Sequence, residues 1–234
     1  MYKRILIKLS GESLMSDDSL VDKDKTKEIA KLIKRVRDKN IEVGIVIGGG
    51  NFFRGRSNKD MYPYYVDNMG MLGTMINGIG LMDAMRNEEV AAKMFSPFAL
   101  LDFKTNYSNE EILELIKDNV MIFTGGTGHS GCSTDTAASN KASLIKADAI
   151  IKLTNVDGVY DKDPNKYPDA IKYDKLTHQD VLDNPEIKVM DIGAIEECQK
   201  NNIDITVINF NDQENLIRVL DGIEIGTKIT SHEY

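Results

Sequence analysis

The chain has 234 residues, 41% of them apolar and 28% charged, with a formal net charge of -8. That is enough apolar material for a substantial core in one large domain or two tightly joined ones, and the acidic balance argues against nucleic acid as the main partner. No apolar run approaches the about 18 residues of a membrane span. Cys132 and Cys198 lack metal-ligand spacing and fit reduced thiols, and a strand-like segment directly after Met1 leaves no signal peptide, so the expected location is cytoplasmic.

In chain order, Tyr2–Leu9 reads as a strand with Lys8 inside it and Ser10-Gly11 at its exit. Lys25–Lys39 places Ile29, Leu32, Ile33 and Val36 at helical spacing, with Lys31, Lys34, Arg35, Arg37 and Lys39 as a solvated face. Ile41–Ile47 is a second strand. It runs into Gly48-Gly49-Gly50-Asn51, with Arg54 four residues beyond the last glycine. Glycines let backbone N–H groups approach a bulky group closely, and arginine adds a rigid fork of donors suited to phosphate. Two strand ends that each pair glycine with a cation suggest one site for a polyanion.

Pro63–Arg86 reads as a long helix with Asp67 near its start, either as a favoured N-terminal residue or as a ligand group. Gly70, Gly73, Gly78 and Gly80 within it cost about 1 kcal/mol each relative to alanine. Close approach to substrate or to a partner subunit is the expected return. Met69, Met71, Met75, Met82 and Met85 read as core or interface filler. Phe98–Asp102 is a possible strand, Asn109–Lys117 a helix and Val120–Thr124 a strand.

Next comes Gly125-Gly126-Thr127-Gly128-His129-Ser130-Gly131-Cys132-Ser133-Thr134-Asp135. Gly126, Gly128 and Gly131 satisfy the dinucleotide fingerprint, and Asp157 lies beyond the next strand, so a nicotinamide-dependent oxidoreductase is the non-kinase alternative. A P-loop fails because Cys132 stands where its lysine should be. Ser133 is either a plain helix cap or a donor to an anion. Asp135 beside a phosphate site costs repulsion unless it holds lysines or a metal in place.

Thr134–Lys146 is a helix and Ala149–Leu153 a strand interrupted by Lys152, which either snorkels to an exposed face or serves a site. Asp161–Pro168 is a polar, proline-bearing excursion. Asp157, Asp161 and Asp163 read as turn residues, because EF-hand spacing is not met. A helix near Asp191–Lys200, strand Ile203–Asn209, helix Gln213–Leu220 and strand Ile223–Ile229 complete the chain, with His178 and His232 at the surface. The alternation predicts a mostly parallel sheet with helices on both faces, and ligands beyond the carboxyl ends of its strands.

Lys8-Leu9-Ser10-Gly11-Glu12, the triple glycine with Arg54-Gly55, Asp67-Asn68-Met69-Gly70-Met71, Gly126-Thr127-Gly128, Ser133-Thr134-Asp135, Val156-Asp157-Gly158-Val159-Tyr160, Asp163-Pro164 and Lys188-Val189-Met190-Asp191 occur in the order seen in bacterial uridylate kinases, of the amino acid kinase superfamily. The chain resembles them from Tyr2 to about Ile229. The resemblance implies an α/β fold, a three-layer α/β/α sandwich with a mainly parallel sheet. It implies a single domain over residues 1–234, with a UMP-binding part roughly 1–150 and an ATP-binding part roughly 151–234. The implied reaction is ATP + UMP → ADP + UDP, in pyrimidine nucleotide synthesis, with Mg²⁺ carried on ATP, UTP as a possible inhibitor and a homohexamer built as a trimer of dimers. It assigns ATP to Lys8, Leu9, Ser10, Gly11, Gly50, Arg54, Thr154, Tyr160 and Asp163. UMP goes to Gly49, Asp67 and the run Thr127, Gly128, His129, Ser130, Gly131, Cys132, Ser133 and Thr134. Lys8, Arg54, Asp135 and Lys152 carry the catalytic roles.

Two departures stand out. Family members usually carry Asn-Pro and aromatic residues where His129-Ser130-Gly131-Cys132 stands here, and the glycine-rich segment associated with GTP activation is replaced by Ser16-Asp17-Asp18-Ser19. Within the superfamily, a carboxylate or carbamate kinase is the alternative, disfavoured by Asp67-Asn68-Met69-Gly70-Met71.

Overall fold

The computed structural model describes residues 2–53, 60–100 and 102–232. The sequence-predicted Arg54 lies outside them. The chain runs β1 (Arg4–Leu9), α1 (Lys23–Arg37), β2 (Glu42–Ile47), α2 (Pro63–Asn87), β3 (Ala92–Phe95), α3 (Asn109–Asp118), β4 (Val120–Phe123), α4 (Thr134–Ile145) and β5 (Ala149–Thr154). It continues with β6 (Val159–Tyr160), β7 (Lys172–Tyr173), β8 (Lys175–Thr177), α5 (His178–Asp183), α6 (Ile192–Lys200), β9 (Asp204–Asn209), α7 (Glu214–Leu220) and β10 (Thr227–Thr230).

Eight strands form one sheet in the order β3-β4-β2-β1-β5-β9-β10-β8. β3 through β9 in that order are parallel, whereas β10 pairs antiparallel with β9. Alternation along β1 sorts side chains to two faces. Ile5, Ile7 and Leu9 pack with Ile29 and Ile33 of α1, Leu81 of α2 and Leu216 of α7. Leu6 points the other way, to Ile116 of α3, Ala138 and Ile145 of α4 and Ile195 of α6. The three layers follow from that division.

The basic face of α1 is neutralised by acids from other elements. Arg35 pairs with Glu214 at 2.5 Å and Lys39 with Asp221 at 2.6 Å. Both cysteines are free thiols, and burial pushes the Cys198 thiol up to about 12.

Three expectations need correction. The strand expected at Phe98–Asp102 is instead β3, ending before Pro97; beyond it only a bridge joins Leu100 and Phe103. Its four residues carry little strand signal of their own and are fixed by their register against β4. The last strand begins at Thr227, because Gly222 and Gly226 take positive φ and turn the chain first. A side chain at Gly226 would place its Cβ 2.0 Å from the Val207 carbonyl oxygen.

His178 is fully buried, not at the surface. It begins α5 directly after the Thr177 capping box, with Nε2 3.1 Å from the Ile203 carbonyl and Nδ1 3.2 Å from Ser231 Oγ. Burial pushes its imidazole pKa below the usual value, with the Ile203 carbonyl and Asp204 pulling partly back. The unfolded chain therefore takes up the proton first, near pH 6.5, and stability falls as pH drops below that value. The melting temperature should decline as pH falls below about 6.5, and His178→Gln should flatten the decline. An equal slope in the variant would assign it to other groups.

Candidate active site

The parallel strands end together at one edge of the sheet, where Lys8, Lys152 and Asp135 of the predicted residues meet. In β1 and β5, Lys8 lies directly opposite Lys152. Like charges in that position destabilise a sheet. Asp135, in the first turn of α4, resolves the conflict, with one oxygen 2.6 Å from Lys8 Nζ and 3.4 Å from Lys152 Nζ. These side chains are only 15–19% exposed. Lys152 also donates to the Val189 carbonyl. Desolvation and the neighbouring Lys8 lower its pKa, against the pull of Asp135 and Asp191. Lys152 therefore does not snorkel to an exposed face.

The exits of β1 and β2 are locked together by close backbone approach. Gly48 N–H donates to the Leu9 carbonyl at 3.0 Å. Leu9 itself is buried in the core, so only its backbone is available to a ligand. A Cβ on Gly11 would sit 2.2 Å from Asn51 Oδ1, and one on Gly49 would sit 2.3 Å from the Gly70 carbonyl oxygen. Asn51 and the fully buried Asn77 exchange amide hydrogen bonds at 2.8 Å. Asn77 also donates to the Gly48 carbonyl at 2.7 Å. These amides stitch α2 to the glycine turn. Asn77 carries no signal in the sequence that marks this role.

The same contacts explain the glycines of α2. Gly73 abuts Gly49 and Phe52, a Cβ on Gly78 would lie 2.4 Å from Thr124 Cγ2, and one on Gly80 would lie 2.5 Å from Val21 Cγ1. The close approach at these three is to the chain itself. Gly70 has open space where a side chain would be.

Asp67 is not a cap. Tyr62 caps α2 and Pro63 is its first residue, so Asp67 is already inside the helix. Its Oδ2 accepts from Ser130 Oγ and, at 2.7 Å, from Gly131 N–H. These bonds hold the Asp67 carboxyl below its usual pKa. Ser133 is the cap of α4, accepting from the N–H groups of Asp135 and Thr136 at 3.0 and 3.1 Å. It also donates to Asp191, the residue before α6, which further accepts from Thr136 Oγ1. Asp191 was legible only as part of its motif; the fold places it at the start of α4.

A cleft of about 550 Å³ opens beside this group. Gly49, Gly50, Asp67, His129, Cys132, Ser133 and Thr134 line it together. Gly126, Gly128 and Gly131 all take positive φ in the loop that rims it. Ser10 Oγ lies 3.0 Å from Ser13 Oγ at the exit of β1. Thr154 ends β5; Tyr160, in β6, donates to Asp157, and Asp163, in the polar excursion, accepts from Asn165 N–H at 3.0 Å.

Residues 3–209 match the amino acid kinase family. The chain is 40% identical over 232 residues to the uridylate kinase of Shewanella baltica, covering 97% of this chain and 94% of that protein. It is 42% identical over 236 residues to that of Pseudoalteromonas atlantica, covering 99% and 95%. Among solved structures, UMP kinase from Bacillus anthracis superposes with a TM-score of 0.93 at 32% identity, covering 99% of this chain and 97% of that one. UMP kinase from Ureaplasma parvum gives 0.90 at 35% identity, covering 98% and 99%. Identity sustained over nearly the whole length, on the same parallel sheet with its glycine-lined strand exits, places this chain in the amino acid kinase family, in its uridylate kinase branch.

Proposed function

We infer that the chain is a nucleoside monophosphate kinase that transfers the γ-phosphoryl group of ATP to UMP. The observation that carries this reading is Asp135 holding Lys8 and Lys152 side by side next to the glycine-lined cleft. In-line phosphoryl transfer needs two anions held against their repulsion and charge stabilised in the transition state. An oxygen of the UMP phosphate forms the new bond to the γ-phosphorus while the bond to the β,γ-bridging oxygen breaks. The attacking phosphate is ionised near pH 7, so no general base is required.

Lys8, Ser10, Gly11, Gly50 and Arg54 are the groups proposed to hold the ATP phosphates, with Thr154, Tyr160 and Asp163 toward the adenosine. Gly49, Asp67 and residues 127–134 form the proposed UMP site. The part over roughly 151–234 is thus proposed to take the adenosine of ATP and the part over roughly 1–150 the UMP, with the ATP phosphates reaching across to the exits of β1 and β2. Mg²⁺ supplies charge neutralisation when bound. Asp135 is committed to two lysines and Asp191 to two hydroxyls, which suits a metal that arrives on ATP and is held by phosphate oxygens and water.

ADP release with a panel of UMP, CMP, dTMP, acetylglutamate and carbamate tests the reading; preference for any acceptor other than UMP rejects it. Activity in the cytoplasm, in pyrimidine nucleotide synthesis, belongs to the same proposal. So does a homohexamer built from dimers, for which the exposed Tyr65, Leu72 and Ile76 along α2 offer an apolar stripe. Native mass measurement that finds only monomer would reject it. UTP is proposed to inhibit by competing at the UMP and phosphate sites. Activation by GTP should be weak, since Asp17 and Asp18 repel a triphosphate. A several-fold, saturating rise in rate on GTP titration would overturn that.

Asp67→Asn should raise KM for UMP and leave KM for ATP unchanged. Asp67 Oδ2 serves the loop, and its Oδ1 has no hydrogen bond among the described residues, so one oxygen remains for a ribose hydroxyl. An unchanged KM for UMP would exclude Asp67 from the ribose site.

A further inference from the structure

Lys141 lines the same cleft, on the face of α4 that also presents Thr134 and Ala137. Its ammonium lies 4.4 Å from the centroid of the Phe95 ring and 5.7 Å from that of Phe123. Among the described residues it has no carboxylate partner and no hydrogen bond. Burial pushes its pKa below the usual value. A desolvated cation without a counter-charge is costly, and contact with two phenyl rings offsets only part of that cost. A missing acceptor is therefore the natural complement of this group.

The layout of the cleft indicates which acceptor. Anion-binding features cluster at the other end, where Gly49, Gly50 and the start of α4 meet. Thr134 lies beside Gly48 there. From Thr134 to Lys141 the helix advances seven residues, about 10 Å, comparable to a mononucleotide lying along it. With the phosphate at the glycine turn and the ribose at Asp67, the pyrimidine reaches toward Phe123 and Lys141. The ring atom farthest from the ribose is carbon 4. In uracil it bears a carbonyl oxygen, an acceptor; in cytosine it bears an amino group, a donor.

We propose that Lys141 is a specificity-determining residue that donates a hydrogen bond to the 4-carbonyl of the acceptor's uracil ring. An ammonium has only donors to offer, so a cytosine amino group would meet donor with donor and leave a partly buried cation unpaired. Sites built around such a bond reject analogues that lack the matching group. The inference rests on the UMP-kinase reading above.

The test compares kcat/KM for UMP and CMP in the wild type, Lys141→Met and Lys141→Gln, with thermal melting of each. Methionine keeps the stem over the phenyl rings and removes the donor. Glutamine offers a donor or an acceptor by rotating its amide. Lys141→Met should lower kcat/KM for UMP at least 10-fold with little change for CMP, leaving KM for ATP unaltered. Lys141→Gln should narrow the UMP/CMP ratio by raising use of CMP. A ratio unchanged in both variants, whatever happens to overall rate or stability, overturns the proposal and leaves Lys141 as packing against Phe95 and Phe123. Failure of the wild type to phosphorylate UMP would instead overturn the functional reading itself.

Discussion

Lys8→Met should lower kcat by about 10²-fold or more, about 2.7 kcal/mol of transition-state stabilisation. Lys8 sits at the carboxyl end of β1, beside the proposed path of the transferred group, and its ammonium is held in place by Asp135 at 2.6 Å. Removing a cation from a mostly buried ion pair ordinarily costs several kcal/mol by stranding the partner. Here Asp135 keeps Lys152, 3.4 Å away, and the repulsion between two opposed lysines disappears. The melting temperature should therefore hold steady or rise while turnover collapses. Single-turnover measurement with saturating ATP and UMP, read beside thermal melting, checks both. Near-normal turnover would remove Lys8 from the mechanism.

Asp135→Asn should do the reverse for stability. It leaves Lys8 and Lys152 facing each other without an acid between them, in a setting where loss of the partner costs about 3 kcal/mol. Turnover should fall about 10-fold or more, because the lysines splay apart. ATP should compensate in part: its phosphates bring the missing negative charge. The rise in melting temperature on adding ATP should thus be larger in the variant than in the wild type. Equal ligand-induced shifts with an unchanged kcat would make Asp135 a structural acid and nothing more.

Much of this was legible in the sequence, and the reasons are local. The apolar runs of β1, β2, β4, β5 and β9 have the continuous hydrophobicity of strands buried on both faces. Glycines at the exits of β1 and β2 announced close backbone approach, and Ser133 announced the start of α4. The conflict posed by Lys8, Lys152 and Asp135 was visible as three charges in the wrong places. That Asp135 holds lysines was expected; that Lys8 and Lys152 stand directly opposite each other was not. Lys8 and Lys152 are 144 positions apart and become neighbours only through the register of β1 against β5.

Other outcomes needed the tertiary structure for the same reason. Asp67 had two local readings as an N-terminal helix residue or a ligand; Tyr62 as the true cap, and the Ser130–Gly131 loop folding onto it, excluded the first. His178 carries no apolar pattern that marks burial, and its partners Ile203, just before β9, and Ser231, just after β10, are brought to it only by the fold. The glycines of α2 promised close approach, but only the crossing of that helix over the exits of β2 and β4 showed that the chain approaches itself. Sequence by itself determined the layered fold and the close backbone approach at its glycine-bearing strand exits, because hydrophobic period and glycine placement act over a few residues. Which side chains share a charge, an oxygen or a cleft was decided by strand register and helix packing, because those bring together positions the chain holds far apart.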